Sequence, residues 1–123
     1  MTQLNKLKYL NAAKKAAEWL VNIQDNDGKC NKYTYMGYSH DYHTKVAWPL
    51  LEVYKYTNNE RFMQAAEKKI KWTLSHSQKN GWFKYMGFTP EEIPFTPTIA
   101  YTLRGLLESS VFLNDNLNHY YNL

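Results

Sequence analysis

The chain has 123 residues, 44% hydrophobic, 16% aromatic and 21% charged, with a formal net charge of +4. That length supports one domain with a modest core, and the apolar content excludes a disordered chain. The charge is almost all lysine, since Arg61 and Arg104 are the two arginines; with arginine scarce and no base-reading motif, nucleic acid is not an expected partner, while acidic ligands are allowed.

Residues 3–25 read as a helix on Leu10, Ala13, Ala17, Leu20 and Gln24, with Trp19 and Ile23 beside them. Lysines interrupt every apolar run before residue 16, and no stretch approaches the ~20 apolar residues of a membrane span. Neither a secretory core nor a membrane partner is therefore expected. Asp25-Asn26-Asp27-Gly28 ends the helix with turn residues, and a loop rich in tyrosine and glycine runs to about residue 41. Cys30, the single cysteine, excludes an internal disulfide and a cysteine-rich zinc site and fits a reducing compartment, so a cytoplasmic location is expected.

A second helix is predicted over 43–57, with Val46, Leu50, Val53 and Thr57 in one row and Ala47, Leu51 and Tyr54 in the next. So wide a stripe expects cover on most sides. Pro49 either bends it or marks a later start. Thr57 with Glu60, or Asn59 alone, is placed to cap a third helix on Phe62, Ala66, Ile70 and Leu74, running to about Ser77. Lys68, Lys69 and Lys71 read as its solvated face. A second loop, residues 82–95, leads to Thr96-Pro97, an N-cap followed by proline. The fourth helix carries Ile99, Leu103, Leu106, Ser110 and Leu113, with Ala100, Leu107 and Val111 alongside, and is expected to end at Asn114-Asp115-Asn116. Period-2 alternation is missing, so the fold class is all-α.

The pattern repeats. Tyr35-Met36-Gly37-Tyr38-Ser39 returns as Tyr85-Met86-Gly87-Phe88-Thr89, and Trp19, Gly28 and Thr44 return as Trp72, Gly81 and Thr98. Two copies of one helical hairpin are implied, repeat 1 about 12–58 and repeat 2 about 59–116. Such units cannot bury their apolar faces alone. The expected array has outer helices one and three facing water and inner helices two and four facing a shared centre.

The run Ala17-Glu18-Trp19-Leu20…Gln24-Asp25…Asp27-Gly28 resembles the outer-helix end of an α/α-toroid repeat of the terpene cyclase and prenyltransferase superfamily. Tyr42-His43-Thr44-Lys45-Val46-Ala47-Trp48, the following Leu51-Glu52-Val53-Tyr54 and Thr98-Ile99-Ala100-Tyr101-Thr102-Leu103-Arg104-Gly105-Leu106-Leu107-Glu108 are similar to toroid proteins encoded with polysaccharide-biosynthesis genes. That likeness implies a partial α/α toroid of about two antiparallel hairpins where the full ring has six. It also implies an assembly completed by homo-oligomerisation or by missing toroid repeats. Lys45 stands where the family usually has arginine, which replaces a bidentate anion fork with a point charge. Asp41-Tyr42-His43-Thr44 is further similar to a segment in the helical domain of glucuronyl C5-epimerases, which implies Tyr42 as acid/base and His43 as its orienter.

These residues define the expected site. Epimerisation beside a carboxylate needs two acid/base groups and a cation, types that Tyr42, Tyr38 or Tyr85, His43 and Lys45 supply. A tyrosine acting as base would need a nearby cation, because it ordinarily titrates near ~10. The competing expectation is that His43 and Thr44 cap the second helix and Tyr42 packs. Tyr35, Tyr38, His40, Lys45, Trp82, Tyr85 and Arg104 are the candidate ligand-binding residues, with the aromatic loops lining one cavity mouth. Glu91-Glu92 as a general acid and His40, Asp41 and His43 as metal ligands are weaker readings, because an acidic loop is usually solvated and a third metal ligand is missing. Aspartate-rich terpene-cyclase chemistry is disfavoured, and neither metal nor cofactor is expected. His76 and His119 read as isolated and exposed. The expected function is saccharide binding or modification, epimerase- or lyase-like, on an acidic sugar; the other expectation is a non-catalytic fragment or assembly module that oligomerises through its inner helices.

Overall fold

The computed structural model describes the backbone of residues 3–121 and the side chains of residues 5–114. Four α-helices, α1 (Gln3–Ile23), α2 (Ala47–Thr57), α3 (Glu60–Leu74) and α4 (Thr96–Tyr121), account for most of it, with 3-10 segments at Tyr35–Gly37 and Asp41–Val46. Among the described residues there is no strand, and a single bridge joins Ser77 to Phe83. The all-α class therefore holds.

The second predicted helix divides. Residues 41–46 wind as a 3-10 segment and the α-helix begins at Ala47, so Pro49 falls in the first turn, where its missing N–H costs nothing. Asn58 ends α2 in the left-handed region, its N–H returning to the Tyr54 carbonyl. Asn59 then caps α3 through Oδ1, which accepts from the Arg61 N–H. The connection is thus a tight antiparallel turn built by two asparagines. The third helix stops at Leu74, short of Ser77.

The core centres on α2, which touches each of the other three helices, while among the described residues α1 and α4 do not approach each other closely. Leu50, Leu51, Phe62, Ala66 and Ile70 fill it, as the apolar periodicity of the second and third helices predicts. Full burial of Leu51 and Phe62 contributes about 2–3 kcal/mol each. Only the C-terminal half of α1 joins, through Ala17 and the partly buried Leu20 and Val21.

Helix α4 departs from its predicted orientation. Leu103, Leu107 and Val111 stand 50%, 63% and 53% exposed, whereas Thr98, Thr102, Gly105, Ser109 and Leu113 form the buried row. The reason is close approach: a Cβ on Gly105 would lie 2.5 Å from the Thr44 carbonyl carbon and 2.6 Å from the Lys45 nitrogen. Small residues let α4 rest on the backbone of the 3-10 segment, and that seam outranks the leucine stripe. Thr102 gives its hydroxyl to the Thr98 carbonyl and so enters the seam satisfied. The N-terminus also differs by one residue. The Phe95 carbonyl accepts from Ile99 N–H and Thr98 Oγ1, so Thr96 is already helical. The helix continues through Asn114-Asp115-Asn116 to Tyr121. Asn and Asp each cost a helix under ~1 kcal/mol relative to alanine, too little to stop it without glycine or proline.

Two substitutions in this seam separate overpacking from polarity. Gly105→Ala forces a methyl into backbone and is expected to cost about 1–3 kcal/mol in chemical denaturation. Ser109→Ala removes a buried hydroxyl that has no hydrogen-bond partner and is expected to be neutral or stabilising by up to about 1 kcal/mol. A tolerated Gly105→Ala would overturn the close-approach account.

Candidate functional site

The two aromatic loops meet at Asp41, which is fully buried. Its N–H donates to the Tyr85 carbonyl at 2.8 Å, and its Oδ2 accepts from the Tyr85 N–H at 2.6 Å. Oδ1 lies 3.0 Å from His76 Nδ1. His76 is thus paired to the first loop, contrary to its reading as isolated and exposed; His119 lies outside the described side chains. His40, also fully buried, sets its ring nitrogens 3.0 Å from the Gly87 carbonyl and 3.1 Å from that of Tyr35. The ring thus spans from one copy of the repeated Tyr-Met-Gly segment to the other.

Around this clasp, Tyr38, His40, Tyr42 and His43 form one stack: Tyr42 lies on His40 at 4.7 Å and meets His43 edge-on at 4.8 Å. Tyr38 donates to the Phe88 carbonyl at 2.5 Å, and Tyr35 meets the Phe88 ring at 5.8 Å. Five of the nine predicted site residues thus come together. Tyr85 joins a neighbouring group with Trp72 and His76. Lys45 and Arg104 belong to the α4 side, over the rings of Tyr101 and Trp48 at 4.0 and 5.1 Å. Trp82 stands apart from these clusters, and Glu91 and Glu92 are exposed. Burial pushes the Tyr42 hydroxyl up, with Tyr38 and Tyr35 acting in the same direction, the opposite of what a base at neutral pH requires.

The chemistry that the sequence reading missed lies on the other side of His43. A cavity of about 150 Å³ opens between the end of α1, the first loop, α2 and α3, with Lys69, His43, Cys30, Trp19 and Tyr33 in its walls. Lys69 is 3% exposed. Its Nζ donates to Ser39 Oγ at 3.1 Å and sits 4.3 Å over the Trp72 ring; none of the ion pairs among the described residues includes it. Burial drives its amine down from 10.5 to about 8. His43 Nδ1 accepts from the His40 N–H at 3.4 Å, which assigns the ring proton to Nε2. Burial, with the Lys69 and His40 charges behind it, lowers His43 to about 3 and keeps it neutral. Burial likewise raises the Cys30 thiol, so it is no thiolate nucleophile at neutral pH.

At the mouth, Trp19 and Tyr33 stack at 5.8 Å and 28°, yet they are 50% and 82% exposed. Tyr33 has φ of 61°, in the left-handed region a bulky residue rarely adopts. An exposed ring on strained backbone contributes little to folding, which marks this lip as a functional candidate. Among the described residues no group of three or more His, Cys, Asp or Glu could hold a metal ion. No helix among them is long and apolar enough to cross a membrane. Comparison with protein-family models, curated proteins and solved structures finds no match to this chain.

The buried bases give the fold a pH dependence of definite sign. His43 titrates near 6.5 when unfolded and about 3 when folded, so between these values the unfolded chain holds the extra proton and stability rises with pH. Urea denaturation from acid to neutral pH should show that rise, and His43→Leu should flatten its part between the two values. An unchanged slope in the variant would show that His43 is not held neutral.

Proposed function

We propose that this chain binds a small acidic saccharide in polysaccharide metabolism, with the carboxylate on Lys69 and one sugar ring against Trp19 and Tyr33. The observation that carries this reading is a buried lysine without a carboxylate partner, set in the wall of a cavity whose lip is an exposed aromatic pair. The Lys69 ammonium and the His43 Nε2–H are both donors, and donors select a ligand rich in acceptors. The volume argues for a small occupant: a cavity of about 150 Å³ takes one benzene-sized ring. A cavity that small takes the carboxylate end of one uronate unit or chain end, with the ring at the Trp19–Tyr33 lip, and a polymer running through does not fit.

The same proposal takes the chain as two hairpins of a partial α/α toroid. Its support is local similarity. Trp19 near the end of α1 stacks on Tyr33 of the next loop, and Trp72 near the end of α3 lies parallel to Tyr85 of the loop after it, at 6.4 Å, although Tyr35 is the repeat counterpart of Tyr85. Gly28 and Gly81 hold φ of 96° and 82° at matching turns. Epimerase- or lyase-like proton abstraction has weaker support than binding, because the Tyr42 hydroxyl is pushed away from the range of a base.

Glucuronic acid titrated into the protein should quench tryptophan fluorescence, with neutral glucose at least about tenfold weaker, the discrimination expected of one charge-assisted hydrogen bond. Lys69→Met should keep the fold and lose that preference. Equal responses to the two sugars, or unchanged glucuronate binding by the variant, would sink the proposal.

A second reading is favoured by the outward stripe of Leu103, Leu107 and Val111. We infer that it is covered by a second copy of the chain. Arg104 and Glu108, 3.7 Å apart beside the stripe, carry opposite charges, so two antiparallel α4 helices present each arginine to the partner's glutamate. Light scattering should give a dimer and Leu107→Glu a monomer. A wild-type monomer at high concentration would exclude this assembly.

A further inference from the structure

We propose that the Lys69 side chain is also a covalent site, whose amine condenses with the carbonyl carbon of a small aldehyde to give an imine inside the cavity. This rests on the same cavity as the saccharide reading but not on the saccharide. The geometry meets three requirements of amine chemistry. First, Lys69 lines a small, partly open cavity of about 150 Å³ that accepts a molecule of one ring or less. Second, its Nζ is held by the Ser39 hydroxyl at 3.1 Å and the Trp72 face at 4.3 Å, and no ion pair among the described residues locks it as ammonium. A hydroxyl serves both states, since it accepts from an ammonium and donates to a free amine. Third, His43 lines the same cavity with Nε2–H available, a donor for the carbonyl oxygen as the nitrogen adds. The lowered lysine value agrees with this arrangement, since an amine at about 8 is roughly a tenth unprotonated at neutral pH, far above an exposed lysine.

The step balances without an oxidant. The free Nζ lone pair attacks the carbonyl carbon and the C–O π pair becomes hydroxyl, a proton moving from nitrogen to oxygen. That hydroxyl then leaves as water with the second nitrogen proton, and the C=N bond forms. Nothing is oxidised or reduced.

The wild-type protein supplies its own controls, because Lys68 and Lys71 lie on the same helix and are exposed. Native protein is treated briefly with glyoxylate at neutral pH, trapped with borohydride and digested, and the adduct is mapped by mass spectrometry. Lys69 should be labelled at least about tenfold above Lys68 and Lys71, and the preference should vanish in urea. Labelling of Lys69 no greater than that of its neighbours in the folded protein overturns the inference. Loss of glucuronate binding with Lys69 labelling intact overturns the saccharide reading and leaves this one standing; glucuronate binding without selective labelling does the reverse.

Discussion

The buried carboxylate of Asp41 is the constraint on which the rest of the structure depends. One short side chain serves the Tyr85 N–H and His76, while its own N–H and carbonyl serve Tyr85 and the Thr44 hydroxyl. A carboxylate in a dry site is tolerable when such donors surround it, and removing one side of such an arrangement ordinarily costs about 3–5 kcal/mol. The consequence is positional. Asp41 opens the 3-10 segment, so fixing it fixes His40 before it and His43 after it. His40 reaches to the second loop and His43 turns into the cavity. Both loops, the end of α3 and one cavity wall thus answer to one anchor.

The second organising feature is the absence of bulk where α4 crosses the 3-10 segment. Thr98, Thr102, Gly105 and Ser109 keep the backbones close, and the Thr44 hydroxyl reaches Thr73 across the interior at 2.6 Å. Hydrophobic burial alone would have turned Leu103 and Leu107 inward, since each offers about 1.5–3 kcal/mol on full burial. They face out because the seam admits no side chain larger than threonine along most of its length. The apolar surface of α4 is therefore a by-product of a tight contact on its other face, and it leaves an adhesive strip at the edge of the molecule.

Much of the helical frame was legible in the sequence. The periodicities of the second and third helices gave the core residues, and turn chemistry at Gly28, Asn58-Asn59 and Thr96-Pro97 gave the boundaries to within a few residues. Helix α4 was misread because apolar periodicity reports which residues prefer burial, not which face can approach a neighbour, and the small-residue row carries no hydropathy signal. Of the nine residues that the sequence singled out, His43 alone lines the cavity; Tyr35, Tyr38, Trp82 and Tyr85, expected at a cavity mouth, do not. Lys69 was lost among its neighbours Lys68 and Lys71, although its position was informative: it shares the row of Phe62, Ala65, Ala66, Ile70 and Thr73, all buried. A charged residue on the apolar stripe of a helix is a stronger signal than a charged residue in a run, and composition conceals the difference.

Why Lys69 sits there is the question that links packing to function. Lowering its amine from 10.5 to about 8 corresponds to about 3 kcal/mol against the charged form in the folded state. That is a net cost, left after the Ser39 hydrogen bond and the Trp72 face have acted on the ammonium. A methionine of similar length would fill the same space with no penalty at all, so the amine contributes little to holding the fold together. A group that folding neither needs nor rewards, fixed at a cavity wall opposite a neutral histidine and beneath exposed rings, has its physical explanation in what enters the cavity. An acceptor-rich ligand would give the buried ammonium the partner that the protein leaves out, and binding would then recover the desolvation that folding left uncompensated.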